Sequence, residues 1–203
     1  MIKASKKDKD LVVDLLSHSF KDNQSVAYIV GKRNDKQKRI RALIDYSFEL
    51  CFLFGEVWLS DDKKACALVL YPHQKRTTLK STWLDVQLII RAIGWKGALK
   101  AIKRESKIKG IQSKEEMAYL WFIGVLSTEQ HKGIGSSLLK QVLDGAANAG
   151  LSVYLETSTP KNIPWYKSFG FQNYGTINLG YDLYFMKWDP MNETKLGDAI
   201  QHN

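Results

Sequence analysis

Residues 119–150, YLWFIGVLSTEQHKGIGSSLLKQVLDGAANAG, read as one strand, one glycine-bearing turn and one helix in direct succession, and no other stretch limits the fold as much. Residues 119–126 are an apolar, aromatic and β-branched run of strand length, while Leu138, Leu139, Val142, Leu143 and Ala146 recur at helical spacing. In the join, Gly133 and Gly135 let the backbone approach a ligand, and the start of the helix offers N–H groups that have no partner within it. Such a turn can hold a phosphate. Residues 151–157 (LSVYLET) then read as a second buried strand, which makes a parallel βαβ unit.

The remaining elements follow from periodicity. Residues 2–4 suggest a short strand. Residues 8–20, with Leu11, Leu15 and Phe20 among charges, suggest an amphipathic helix broken by Asp22, Asn23, Gln24 and Ser25. A longer helix over 35–54 carries Ile40, Leu43, Ile44, Ser47, Leu50, Cys51 and Phe54 on one stripe. Tyr46, Phe48 and Phe52 lie off it, which fits a helix buried on two sides better than a pocket wall. Gly55 ends that helix, and residues 56–59 and 65–71 form a hairpin stopped by Pro72. Residues 81–109 are helical in two pieces, weakened at Gly94 and Gly97, with Leu84, Leu88, Trp95, Ala98 and Ile102 as the expected apolar side. Asn162 can cap a short helix that starts near Pro164 and ends at Gly170, and residues 171–177 and 183–188 close the sheet as an antiparallel pair. We expect one domain over 1–188, with 72–114 as a basic helical insert between the third and fourth strands and 189–203 as a weakly anchored tail.

Charge is concentrated in that insert. Of the net +9, residues 72–114 supply 11 basic and 2 acidic side chains, and Lys96, Lys100, Lys103 and Lys107 form one stripe. The stripe is either a solvated face or a weak peripheral contact with an anionic surface. Aromatics are not interleaved with those lysines, so nucleic acid is not the expected partner. The chain has no apolar run long enough for a transmembrane helix, and its first residues are charged. It has two cysteines, both in apolar surroundings, and no metal cluster is expected. A cytoplasmic protein is the simplest reading, and a homodimer stays open.

The Gln130 turn lacks the lysine of a P-loop and the third glycine of a dinucleotide fingerprint, where Leu138 stands. Its Gln130-x-x-Gly133-x-Gly135 pattern resembles the acyl-CoA loop of the GNAT superfamily of N-acetyltransferases. Phe122 to Leu126 upstream resemble the family's strand beside the loop, and Asn162 with Trp165, Tyr166, Phe169, Gly170 and Phe171 resemble its second motif. The likeness covers roughly 117–187. His131 stands where many members have glycine, and Ser127 where many have proline.

The resemblance implies an α/β (α+β) fold with a mixed, mostly antiparallel sheet, a central parallel βαβ unit and helices on both faces. It implies direct transfer from acetyl-CoA to an amine of a small molecule or protein, without an acyl-enzyme. The CoA pyrophosphate would rest on amides of Lys132, Gly133, Ile134, Gly135 and Ser136 beside Gln130, and the pantetheine on strand amides at Val125 and Leu126, with Asn162 touching the arm. Tyr166 occupies the position of the acid that protonates the leaving thiolate, although a core aromatic fits there too. A primary amine, with a pKa of ~10.4, must first lose a proton. Glu156 is the candidate base or an orienting carboxylate, with His73 and Glu56 behind it; His18 and His131 read as surface residues and His202 lies in the tail. The alternative function is a non-catalytic acyl-CoA sensor or scaffold.

Overall fold

The computed structural model describes residues 1–31 and 34–190, apart from the side chain of Lys96; most of the 189–203 tail, with His202, lies outside the described residues. The strands are β1 (Ile2–Lys3), β2 (Gly55–Leu59), β3 (Ala65–Leu70), β4 (Met117–Val125), β5 (Ser152–Thr157), β6 (Gln172–Asn178) and β7 (Asp182–Trp188). The α-helices are α1 (Lys9–Ser19), α2 (Gln24–Val30), α3 (Lys36–Phe54), α4 (Leu79–Leu88), α5 (Gly94–Lys109), α6 (Ile134–Asn148) and α7 (Ile163–Lys167). One sheet runs β1-β2-β3-β4-β5-β7-β6, and only β4 and β5 pair in parallel. This is the mixed, mostly antiparallel α/β sheet the sequence implied. Among the described residues no helix is long and apolar enough to cross a membrane.

Apolar side chains from both faces hold the sheet. Val12, Leu16, Ile40, Ile44 and Phe48 of α1 and α3 pack on one face, and Leu138, Leu139, Val142 and Leu143 of α6 on the other. Each such side chain contributes about 1.5–3 kcal/mol when fully buried, far above the ~0–1 kcal/mol of an exposed ion pair such as Lys140–Asp144. Phe48 is fully buried, so α3 is indeed enclosed on two sides, and Phe52 stacks on Phe48 from the surface.

Three expectations are corrected. The polar run at 22–25 does not simply end α1: the Asn23 carboxamide oxygen accepts the Val26 N–H at 3.0 Å and starts α2. Leu11 is exposed, and α1 is buried through Val12, Val13, Leu15 and Leu16 instead. In the insert, Trp95 and Ile102 point outward. A π-helical turn (Ile89–Ile93) and Gly94, at φ 68°, reset the helix phase, so Ala92, Ile93, Ala98 and Ile108 face inward. Arg39 fastens the insert from below, donating to the carbonyls of Val30 at 3.2 Å and Ala92 at 2.9 Å.

Gly55 joins α3 to β2 where a Cβ would stand 2.1 Å from the Val69 carbonyl oxygen. Gly55→Ala should therefore cost about 3 kcal/mol, the upper range for overpacking, read as a lower urea midpoint with an unchanged slope.

Candidate active site

The site begins where the parallel pair ends. β4 and β5 pair only at Met117–Ser152, Ala118–Val153 and Tyr119–Tyr154, after which β4 runs on to Val125 without β5 beside it. The gap where the two strands part is the candidate cleft. On its other edge β4 bulges: Leu120 faces Val69, Phe122 faces Leu68, and Trp121 is the extra residue between them. As a result Tyr119, Trp121 and Phe122 all turn to the α1–α3 side, while Leu120 and Ile123 turn to α6.

The glycine turn follows at the mouth of the cleft. His131 (φ 64°) and Gly133 (φ 81°) are both left-handed, and Gly133 caps α6 without a side-chain bond. The first backbone bond of α6 runs from Ser137 N–H to the Gly133 carbonyl at 2.9 Å, so the N–H groups of Ile134, Gly135 and Ser136 precede the helix ladder. Alternating backbone of this kind turns consecutive N–H groups into an anion-binding concavity, and the helix end adds to its attraction. Glycine adopts the 131 conformation freely; here histidine holds it.

The strand amides differ from expectation in one respect. Leu126 N–H is taken by the Lys64 carbonyl at 2.9 Å. By the alternation of a strand, Val125 N–H then points away from β3 into the cleft, so Val125 and not Leu126 presents a donor there.

The short helix α7 closes the α6 side. Trp165 Nε1–H donates to Ser136 Oγ at 3.0 Å, which locks α7 to the start of α6, and Gly135 leaves room between Val125 and Trp165. Tyr166 is buried against Trp165 and Phe171, at ring distances of 4.8 and 5.6 Å. Its hydroxyl has no hydrogen-bond partner among the described residues, and burial pushes its pKa up, so it stays protonated at neutral pH. Asn162 makes no capping bond, in contrast to the cap expected from sequence, and its carboxamide has no partner among the described residues.

Glu156 lies on the opposite face of the sheet. Its Oε1 accepts from Gln112 Nε2 at 2.8 Å and its Oε2 from the Tyr119 hydroxyl. Burial pushes its carboxyl above the ordinary value; the hydrogen bonds from Tyr119 and Gln112 and the charge of Arg104 offset only part of that. Arg104 reaches in from α5, donating Nε–H to Tyr181 Oη at 3.2 Å and Nη2–H to Ser25 Oγ at 2.7 Å. Ser25 N–H in turn donates to Ser158 Oγ at 3.2 Å, just beyond β5. Sequence reasoning missed Gln112, Arg104, Tyr119, Tyr181 and Ser25. One signal existed: Arg104 falls off the lysine stripe, on the inward side of its helix.

The other candidates are not brought here. Glu56 is bonded to Lys3, Tyr71 and Trp58 on the hairpin. Burial pushes its carboxyl up, but those bonds win and hold it below the ordinary value. His73 packs on Tyr71, and His18 and His131 are exposed. Among the described residues no group of His, Cys, Asp or Glu is arranged to hold a metal ion.

Residues 97–171 match the profile of the acetyltransferase (GNAT) family. An uncharacterized N-acetyltransferase of Schizosaccharomyces pombe is 37% identical over 82 residues, which cover 38% of this chain and 33% of that relative's length. The fold is shared with a crystal structure of histone acetyltransferase HPA2 and related acetyltransferase from Corynebacterium glutamicum (TM-score 0.67, 18% identity, 93% of this chain and 94% of that one). Arylalkylamine N-acetyltransferase 2 of Aedes aegypti shares it too (TM-score 0.65, 15% identity, 93% and 97%). The chain shares its fold with these acetyltransferases, and its segment 97–171 is similar to the acetyltransferase (GNAT) family.

Two stability measurements probe the site. Gly133→Ala should lose about 1–2 kcal/mol, because alanine resists a left-handed backbone; a urea titration reads this. A native carboxyl held above its ordinary 4.5 binds its proton more tightly than the unfolded chain. The stability of wild type relative to Glu156→Gln should therefore be highest below that value and fall as pH rises through the raised native pKa.

Proposed function

We propose that this chain is an acetyl-CoA-dependent N-acyltransferase that passes the acyl group directly to an amine in the cleft between β4 and β5. The observation that carries the reading is that cleft, with an amide-lined turn at its mouth, a partnerless tyrosine hydroxyl on one side and a raised carboxyl on the other. The residues fit an acyl-CoA. Amides from Lys132 to Ser136, beside Gln130, suit a pyrophosphate. Val125 N–H suits the pantetheine or the thioester carbonyl as charge develops on its oxygen. Asn162 reaches the arm, and Leu126 lines it without an amide to offer.

Glu156 removes a proton from the acceptor ammonium, directly or through water, and the amine nitrogen attacks the thioester carbonyl. A C–N bond forms, the C–S bond breaks, and the sulfur leaves with a proton from Tyr166 Oη; the second proton that the nitrogen sheds as the amide forms returns to Tyr166 through solvent. Burial keeps Tyr166 protonated and so able to donate; because a thiol, with a pKa of ~8.5, is a stronger acid than tyrosine at ~10, the transfer runs uphill and is coupled to cleavage of the C–S bond. The acceptor enters from the side of α2 and α5, where the charge of Arg104 acts on the carboxylate and Arg104 holds Tyr181, whose ring meets that of Tyr28. The positive charge of Arg104 and its helix disfavours a polycation such as spermine relative to a monoamine.

A second reading, an acyl-CoA sensor without turnover, is favoured by no particular residue. Thiol release over an amine panel separates the two. An enzyme releases CoA, and Tyr166→Phe lowers kcat by about 10²-fold or more while acetyl-CoA still binds. Glu156→Gln should abolish the acid limb of the kcat/KM profile, whose midpoint in wild type lies above 4.5. Acetyl-CoA binding with no thiol release from any amine would favour the sensor.

A further inference from the structure

The insert carries an apolar surface that nothing in the described chain covers. Leu79, Trp83, Val86 and Ile90 follow one another at helical spacing along α4 and its π-turn, and Trp95, Leu99 and Ile102 do so along α5. All seven are exposed, Leu79 at 95%, Trp95 at 80% and Ile90 at 69%. The core side of the same helices is already filled by Leu84, Ala92, Ile93, Ala98 and Ile108, so the outer row is a second apolar face. Single exposed apolar residues are common on protein surfaces, but seven on two consecutive helices, two of them tryptophans, mark an interaction surface.

Charge selects the occupant. Residues 72–114 hold 11 basic and 2 acidic side chains. Of the two acids, Asp85 accepts from the Tyr46 hydroxyl at 2.7 Å, and Glu105 is exposed on α5. Lys103 and Lys107 stand about a quarter turn from the α5 apolar row; both are exposed and form no ion pair among the described residues. Lys100 lies over the Tyr28 ring at 3.7 Å, and exposed Arg91 follows Ile90 directly. A second copy of the chain on this face would bring two strongly positive inserts together. An anionic bilayer meets both features: its interface takes tryptophan and leucine, and its headgroups take lysine and arginine.

We propose that α4 and α5 dock this protein on an anionic lipid surface, with Trp83, Trp95, Leu99 and Ile102 entering the headgroup region and Arg91, Lys103 and Lys107 meeting the phosphates. Docking leaves the inward side of α5 unchanged, where Arg104 holds Tyr181 and Ser25. The inference stands apart from the acyl-transfer reading and does not need it.

The full chain is floated with phosphatidylcholine vesicles with and without phosphatidylglycerol. It should float with the anionic vesicles alone and be released by salt. Trp83→Ser, Trp95→Ser and Leu99→Ser combined should weaken binding about 10-fold or more. Lys103→Glu with Lys107→Glu should weaken it by at least fivefold per site, roughly the contribution of one basic side chain near such a surface. Should the triple variant fail to fold, quenching of wild-type tryptophan fluorescence by brominated lipid in the same vesicles gives the same answer. Absence of flotation at low salt overturns the proposal. So does flotation that the folded triple variant retains, or the absence of quenching. A wild-type dimer that the triple variant dissolves, without vesicle binding, assigns the face to a second copy and overturns it too.

Discussion

The divergence of β4 and β5 after three residue pairs is the constraint on which the rest depends. A parallel pair that stopped at Tyr119–Tyr154 with nothing between the strands would leave backbone amides without partners, and such groups are costly to bury. Here they stand where the strands part, and the surrounding elements fix that parting. The β4 bulge at Trp121 turns three aromatics to one face, α6 packs against the other, and β7 pairs with the far side of β5 from Val153 to Thr157.

The cleft has unlike walls. On the α6 side, Trp165 ties α7 to Ser136, so the tyrosine beside it is placed by the same packing that sets the glycine turn. On the α2–α5 side, a polar chain runs from Gln112 and Tyr119 through Glu156, with Arg104, Tyr181 and Ser25 alongside. A buried carboxylate with two donors and a nearby guanidinium is held in one geometry, because removing any partner leaves a costly buried group. The insert therefore has two sides with different tasks, since Arg104 joins the polar chain while Trp95, Leu99 and Ile102 face outward.

Much of this was legible in the sequence, and the limits have physical causes. The βαβ unit, the hairpin and α3 showed because their apolar periods are long and regular, and the Gln130–Gly135 turn showed because left-handed backbone and close approach demand particular residues. The outward turn of Trp95 did not show: Gly94 resets the helix phase, and a single period drawn through residues 81–109 misses that. The surroundings of Glu156 did not show either, because its partners Gln112 and Tyr119, and Arg104 with Ser25 and Tyr181 beside them, are brought together by tertiary packing across more than 150 residues of chain. The loss of Leu126 as a donor depends on a hydrogen bond from outside the regular ladder, at Lys64.

The central claim is that the cleft and its turn form an acyl-CoA site, and thermal unfolding with different nucleotides tests it directly. At about 100-fold excess over Kd, acetyl-CoA should raise the Tm by ~5 °C or more, and ATP and NAD should leave it nearly unchanged. Equal shifts from ATP or NAD, or none from acetyl-CoA, would contradict the account.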